Sequence, residues 1–347
     1  MVMKKVISMI LCFVFLFGLT ACAASPKKET ATLVDLAGNT VSLPEGEILA
    51  TANSGWITSQ IAMLAGAKAI GIAPASFESG HTERFAELVE GTKDIPLTDG
   101  DTISAEAMLE KGVNVFFASN QSEADTYTNA GLTSIVMNYD TTENLAQSFV
   151  LIGQVFGGEA LEKGQKIHDY ILECAQIAKE HSSKGESGLS VYYIAATTQT
   201  TPYVTQGQET FANKLFDMCG ATQVTSGTGM YVNVSAEFIM EANPDYFVID
   251  GYLAAEAYEA LVNDPVLNKL DAVQNNRIII APIGILRPCM RPGAETGIGI
   301  LWLLKTLCPD VSADVNVEES AVKFYKDCFG WDIQPEEVTK MLNWVEE

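Results

Sequence analysis

Three histidines in 347 residues leave little room for histidine-based chemistry. His81, His168 and His181 are scattered, and two of them fall in one long helix-like segment. The phrases GxGxxG, GxxxxGK[ST], HExxH and GxSxG are all missing, so dinucleotide, nucleoside-triphosphate, zinc-protease and serine-hydrolase chemistry lose their usual signatures. This argues against an enzyme. Positive charge is also scarce: 21 Lys and Arg stand against 44 Asp and Glu, a net charge of −23. Such a surface repels a phosphate backbone, which excludes nucleic acid as a partner. No pair of cysteines is spaced CxxC, and five remain after Cys22, an odd number that builds no complete disulfide framework. A Cys308–Cys328 bridge suits an exported chain; buried thiols are the competing reading.

Long apolar runs are lacking too. The longest extends only from Val6 to Leu19, short of the roughly 20 residues needed to cross a bilayer. Lys4 and Lys5 precede it and "LTAC" follows, so residues 1–21 read as a secretory signal. Removing them takes away two lysines and no acids, leaving 19 basic and 44 acidic residues and a net charge of −25. Residues 22–31 are small and polar and read as a flexible tether. The rest is too long for a single core and predicts two lobes.

What is present is a rhythm of short apolar runs and helix-like segments. "TLVDLAGNTVSLP" predicts a hairpin turning at Gly38-Asn39. "EILATAN", "AIGIA", "VNVFFAS" and "TSIVMN" predict strands separated by helices, the pattern of parallel βα units. The segment 141–184 differs. Asp140 with Glu143 suggests a capping box, and after Gly157-Gly158 a stripe of Leu161, Ile167, Ile171, Cys174 and Ala178 predicts a long helix. The βα rhythm then resumes with "LSVYYIA", "DYFVID" and "RIIIAP". The expected fold class is α/β: two Rossmann-like lobes, 32–140 and 185–347, joined by a connecting helix at 141–184.

One unit occurs twice. "ISAEAMLEKGVNVFFAS" (Ile103 to Ser119) and "VSAEFIMEANPDYFVID" (Val234 to Asp250) align position for position without a gap. Ser104 matches Ser235, Ala105 matches Ala236, Glu106 matches Glu237, Glu110 matches Glu241 and Phe116 matches Phe247. Shared helix–loop–strand physics explains part of this; the matching order of neighbouring elements argues for duplicated halves.

The phrases "LVDLAGNTVSLP", "VSAEFIMEANPDYFVID", "DPVLNKLDAVQNNRIIIAP", "RPGAETGIGILWLLKTLCPD" and "AVKFYKDCFGWDI" resemble the substrate-binding proteins of ABC importers for iron–siderophore complexes, haem and cobalamin. The resemblance covers nearly the whole chain after the tether. "LTAC" resembles a lipobox, with Cys22 as the lipid-bearing residue. The resemblance implies a monomer outside the cytoplasm, held to the bacterial cell membrane by lipid alone. It also implies a ligand cleft between the lobes and a permease and ATPase as partners. Glu106 and Glu237 match the family's permease-docking acids; the local alternative is a solvated acid favoured by the helix dipole.

A cleft of this kind is built from loops at strand ends. Trp56, Tyr139, Tyr203, Tyr231 and Tyr252 are candidate ring contacts; for Trp56 a core-sealing role competes. Arg287 and Arg291 in "GILRPCMRPGAE" suggest an anionic or carboxylate-bearing chelate, unless they pair with Glu295 or another acid of the chain. Cys289 and Met290, with His81, are a weaker set that faces a haem iron or metal; a packing role competes there. The expected cargo is a ferric chelate carried without a permanent cofactor. Haem, cobalamin and a molybdate-type oxyanion are the alternatives, and a solute sensor docking on a receptor is the alternative of another class.

Overall fold

The computed structural model describes residues 31–185, 188–195, 201–252, 254–286 and 290–343. The predicted hairpin is present: β1 (Thr32–Val34) pairs antiparallel with β2 (Thr40–Ser42). Asp35 makes its turn. One carboxylate oxygen accepts from the Ala37 and Asn39 backbone N–H groups, and the other accepts from Val136 N at 3.1 Å. The hairpin is thereby pinned to the first lobe.

That lobe is a parallel sheet of β3 (Ala50–Thr51), β4 (Val115–Ala118) and β5 (Thr133–Val136), in that order. Its helices are α1 (Gly55–Ala65), α2 (Glu83–Leu88), α3 (Ala105–Glu110) and α4 (Gln121–Asn129). "AIGIA" forms no strand. Ile70 makes a single parallel bridge to Ala50 before the chain turns away at Gly71.

The expected long linking helix is present, and a second helix precedes it within 141–184. α5 (Thr142–Phe156) and α6 (Gly158–Ser182) form an antiparallel pair that reverses at Gly157. Thr141, not Asp140, caps α5, its hydroxyl accepting from Asn144 N at 3.1 Å. Small residues set the closeness of the pair. A Cβ on Gly164 would stand 2.3 Å from the Phe149 carbonyl oxygen. The buried stripe of α6 is therefore Ala160, Gly164, Ile167, Ile171, Cys174, Ala175 and Ala178, and the expected Leu161 is exposed instead. At 25 residues α6 spans about 37 Å. It packs on α1 of the first lobe and on helices α11 and α12 of the second, defined next.

The second lobe holds β6 (Leu189–Ile194), β7 (Val204–Thr205), β8 (Ala221–Gln223), β9 (Val232–Asn233), β10 (Tyr246–Ile249) and β11 (Ile278–Ile280). Four of these form a parallel sheet in the order β11-β10-β6-β8, while β7 and β9 pair antiparallel beside it. Its helices are α7 (Phe211–Met218), α8 (Ala236–Ala242), α9 (Ala254–Val262), α10 (Asp271–Gln274), α11 (Thr296–Leu307), α12 (Val317–Phe329) and α13 (Pro335–Leu342). Among the described residues no helix is long and apolar enough to cross a membrane.

The sequence repeat is a structural repeat. β4 and β10 start and stop at aligned positions of the two copies, and each is an inner strand of its sheet. Ser104 caps α3 and Ser235 caps α8, each hydroxyl accepting from the N–H three residues on. Gly112 and Asn243, also aligned, both take positive φ where these helices end (76° and 41°). Glycine adopts that backbone freely, and asparagine tolerates it better than most residues. Behind the strands, Met108 with Phe116 and Ile239 with Phe247 occupy matching satellite clusters, every one of them 0% exposed. The main core is continuous through both lobes and α6.

Four cysteines among the described residues are free thiols. Cys308 does not bridge Cys328; its thiol donates to the Cys219 carbonyl at 3.3 Å. Burial pushes the Cys174 and Cys328 thiols up to about 12, as expected of packing groups.

Candidate functional site

A cleft of about 880 Å³ opens between the lobes at the C-terminal ends of their strands. The first lobe supplies Ser54 and Trp56 from the start of α1, Ser119 and Asn120 after β4, and Asn138 and Tyr139 after β5. Ser54 caps α1, which fixes Trp56 in its first turn. The Trp56 ring meets Tyr139 edge to face, with centroids 4.9 Å apart. This is the favourable aromatic geometry, and it leaves two half-buried rings as one wall. Desolvation raises the Tyr139 phenol pKa, so the hydroxyl stays protonated.

From the second lobe come Gln206, Gln208, Thr210, Met230 and Met290 with Arg291. The loop carrying Arg291 seats on α1, where Ala294 N donates to the Gln60 side chain at 3.2 Å. Nearby, Thr82 of the first lobe donates from both its N–H and hydroxyl to the Ile285 carbonyl. Glu295 is buried and holds the same loop from behind, accepting from Ile285 N at 2.7 Å and Leu286 N at 3.0 Å.

Arg291 is not an open cation. Its Nε and Nη2 donate to one oxygen of Asp250, at 3.2 and 3.1 Å, and Tyr193 Oη donates to that same oxygen at 2.8 Å. Asp250, just past β10, is fully buried, so the pair is an internal one. Burial works against the Arg291 charge, but Asp250 beside it outweighs that and raises the guanidinium pKa. Arg291 lines the cleft with its charge balanced by the protein's own acid, the pairing that competes with an anion clamp. Arg287 and Cys289 lie outside the described residues, as do Cys22 and the whole of residues 1–21.

Of the expected ring contacts, Trp56 and Tyr139 line the cleft and three tyrosines do not. Tyr203 packs on the outer satellite cluster, and its hydroxyl donates to Asp264 at 2.5 Å. Tyr252 stands exposed beyond Asp250. Tyr231 is exposed at the rim next to Met230, near enough to interact with Arg291 electrostatically. Of the haem-iron set, the described members His81 and Met290 differ in place. His81 stacks on Phe85 (centroids 4.7 Å) and meets Phe77 edge-on, whereas Met290 does line the site. Among the described residues no cluster of three or more His, Cys, Asp or Glu side chains is placed to hold a metal.

Two lobes on a stiff helix, with a roomy aromatic and amide-lined cleft at the seam, define a solute-binding protein. The model of the periplasmic binding protein family matches residues 98–283, more than half of the chain, and the chain belongs to that family. No curated protein matches it by sequence. Among solved structures it is similar to a periplasmic solute-binding protein from Veillonella parvula, at TM-score 0.76 and 18% identity, covering 90% of this chain and 97% of that one. It is similar to the molybdate-binding MolA of a Haemophilus influenzae ABC transporter, bound to molybdate (TM-score 0.73, 16% identity, 88% and 99% coverage). Helicobacter pylori CeuE in its Ni-His complex is a third (TM-score 0.68, 15% identity, 90% and 98%). Such likenesses define the fold. The family is one of extracytoplasmic binding proteins that serve ABC importers, and binding rather than catalysis is its work.

Proposed function

We propose that the chain is the lipid-anchored binding component of an ABC importer and that its cargo is a bulky ferric chelate of the siderophore type. The observation that carries this reading is the cleft itself: about 880 Å³, walled by Trp56 and Tyr139 and edged by Asn120, Asn138, Gln206 and Gln208. That size suits a drug-sized ligand and is far larger than a bare oxyanion needs. The amides offer both donors and acceptors to carbonyl and hydroxyl groups. Because Asp250 balances Arg291, the described lining favours a neutral, hydroxamate-like chelate over a strongly anionic one. The chelator would supply the iron's ligands. Lipid at Cys22 would hold the mature monomer at the membrane, and Glu106 and Glu237 would dock it on the permease, delivering cargo for ATP-driven import.

Fluorescence titration tests this with ferric hydroxamate, ferric catecholate, haemin, cobalamin and molybdate side by side. The reading expects the ferric hydroxamate to bind tightest and to quench tryptophan emission, with Trp56→Ala weakening it about tenfold or more. Tight molybdate binding untouched by Trp56→Ala would overturn it. So would a haemin Soret shift that is lost in Met290→Ala.

A further inference from the structure

The repeated unit carries more than its glutamates. From Ser104 to Val113 and from Ser235 to Pro244 the two copies have the same exposure class at all ten positions, though only four of the ten residues are identical. Along each helix the buried place goes to an apolar residue, Met108 in one copy and Ile239 in the other. The next position is the unexpected one. Leu109 is 48% exposed and Met240, its aligned counterpart, is 36% exposed. Each lies three residues beyond a glutamate, Glu106 or Glu237, so acid and apolar side chain are neighbours on one helix surface. Glu110 and Glu241 flank them in the same register and are likewise exposed. A single exposed leucine is ordinary. An exposed large apolar residue held at the same place in both halves, beside the same acid, is not accounted for by folding. Neither half buries it, and on a solvated face a polar residue would serve.

We propose that Leu109 and Met240 are paired apolar docking contacts, one on each lobe. Each would work with its neighbouring glutamate against a membrane permease that presents two equivalent basic sockets with apolar lips. The occupant follows from complementarity. The acids select a basic partner, and two matching patches on one rigid body fit a partner with two matching sites, as a symmetric pair of subunits provides. The apolar contact adds what an exposed ion pair lacks, since such pairs alone contribute little in salt. This deepens the importer reading and rests on it.

The test measures stimulation of the cognate permease–ATPase complex in nanodiscs as the cargo-loaded chain is titrated in. Leu109→Ser with Met240→Ser should raise the half-saturating concentration about tenfold. Each single change should do about half of that on a logarithmic scale, with cargo affinity and melting temperature unchanged because both side chains are exposed. Stimulation within twofold of the parent chain would overturn the proposal. Glu106→Lys with Glu237→Lys is the second arm. If it abolishes stimulation while the serine pair does not, the apolar contacts fall and the importer reading stands. If neither pair matters, both fall. Sedimentation is the third: a dimer of the parent chain that the serine pair dissociates would assign the patches to self-association and overturn the proposal.

Discussion

Replacing Arg291 with alanine separates a structural arginine from a ligand-binding one. In the parent chain Asp250 is fully buried, and one of its oxygens takes two donors from Arg291 and one from Tyr193. Among the described residues, removing the guanidinium leaves the buried carboxylate with the Tyr193 hydroxyl and the Tyr252 N–H at 3.1 Å. Breaking a buried pair in this way costs about 3–5 kcal/mol. The Arg291 side chain is 26% exposed, which lets water in and points to the lower end, about 3 kcal/mol. At about 2.1 cal/mol/K per residue over about 300 described residues, that is a fall of roughly 4–5 °C in melting temperature. Adding Asp250→Asn to Arg291→Ala removes the stranded charge and should recover about half of the loss, so the two sites are coupled. Thermal melts of the four chains of this cycle measure the coupling, and titration with the tightest-binding chelate runs alongside. Binding should weaken by no more than about threefold, as expected of a group whose charge is already balanced. Arg291→Ala that melts within a degree or two of the parent yet loses more than tenfold in affinity would refute this reasoning. It would make Arg291 a direct contact to the cargo.

Three further outcomes are expected. Glu106→Lys with Glu237→Lys should abolish uptake in cells while leaving cargo affinity intact; a matching loss of affinity would contradict a docking role. Gly164→Ala places a methyl 2.3 Å from the Phe149 carbonyl. It should destabilise by about 1–3 kcal/mol as α5 is pushed off α6, and an unchanged urea midpoint would show the helix pair to be looser than described. The third outcome concerns acid. The Ser190 N–H, donating at 2.8 Å, holds Asp245 below the usual carboxylate range. Burial pulls Asp264 up, but the Tyr203 hydroxyl and the Leu267 and Val266 N–H groups bring it below that range overall. Folded values below the unfolded value of about 3.9 mean that this stability is complete above about pH 4 and lost as pH falls through the folded values. Melting temperature should therefore hold from pH 7 to 5 and drop below pH 4, with a shallower drop in Asp245→Asn. A fall centred near pH 6 would point to histidine instead.

The fold was legible because burial repeats with a period. Apolar runs such as "VNVFFAS" and "DYFVID" announce buried parallel strands, and the twice-used unit around Glu106 and Glu237 announces two alike halves. The connector was half legible. Gly157-Gly158 marks a break, but whether the chain continues in line or folds back depends on Gly153 and Gly164, which meet Leu161 and Phe149 only once packed. The site was less legible. Trp56 and Tyr139 sit where loops after strands place them. By contrast, Gln206, residues 208–212 and residues 228–230 reach the cleft beside the small β7–β9 pair, whose two-residue strands leave almost no pattern. A tyrosine's role is also undecided by spacing, because the same ring seals a core or greets a ligand: Tyr203 took Asp264, 61 residues away. The arginine pairing was hidden in the same manner, since Asp250 lies 41 residues from Arg291 and meets it only through the sheet.

A crystal structure of the chain purified from its own host, with whatever it carries, bears most directly on the claim that two like lobes grip a guest at their seam. The account predicts one chelate lodged between the lobes, packed on the Trp56 and Tyr139 rings and hydrogen-bonded to side chains from both halves, with Arg291 still on Asp250. A guest bound wholly within one lobe, or on the outer face beside α3 and α8, would contradict it.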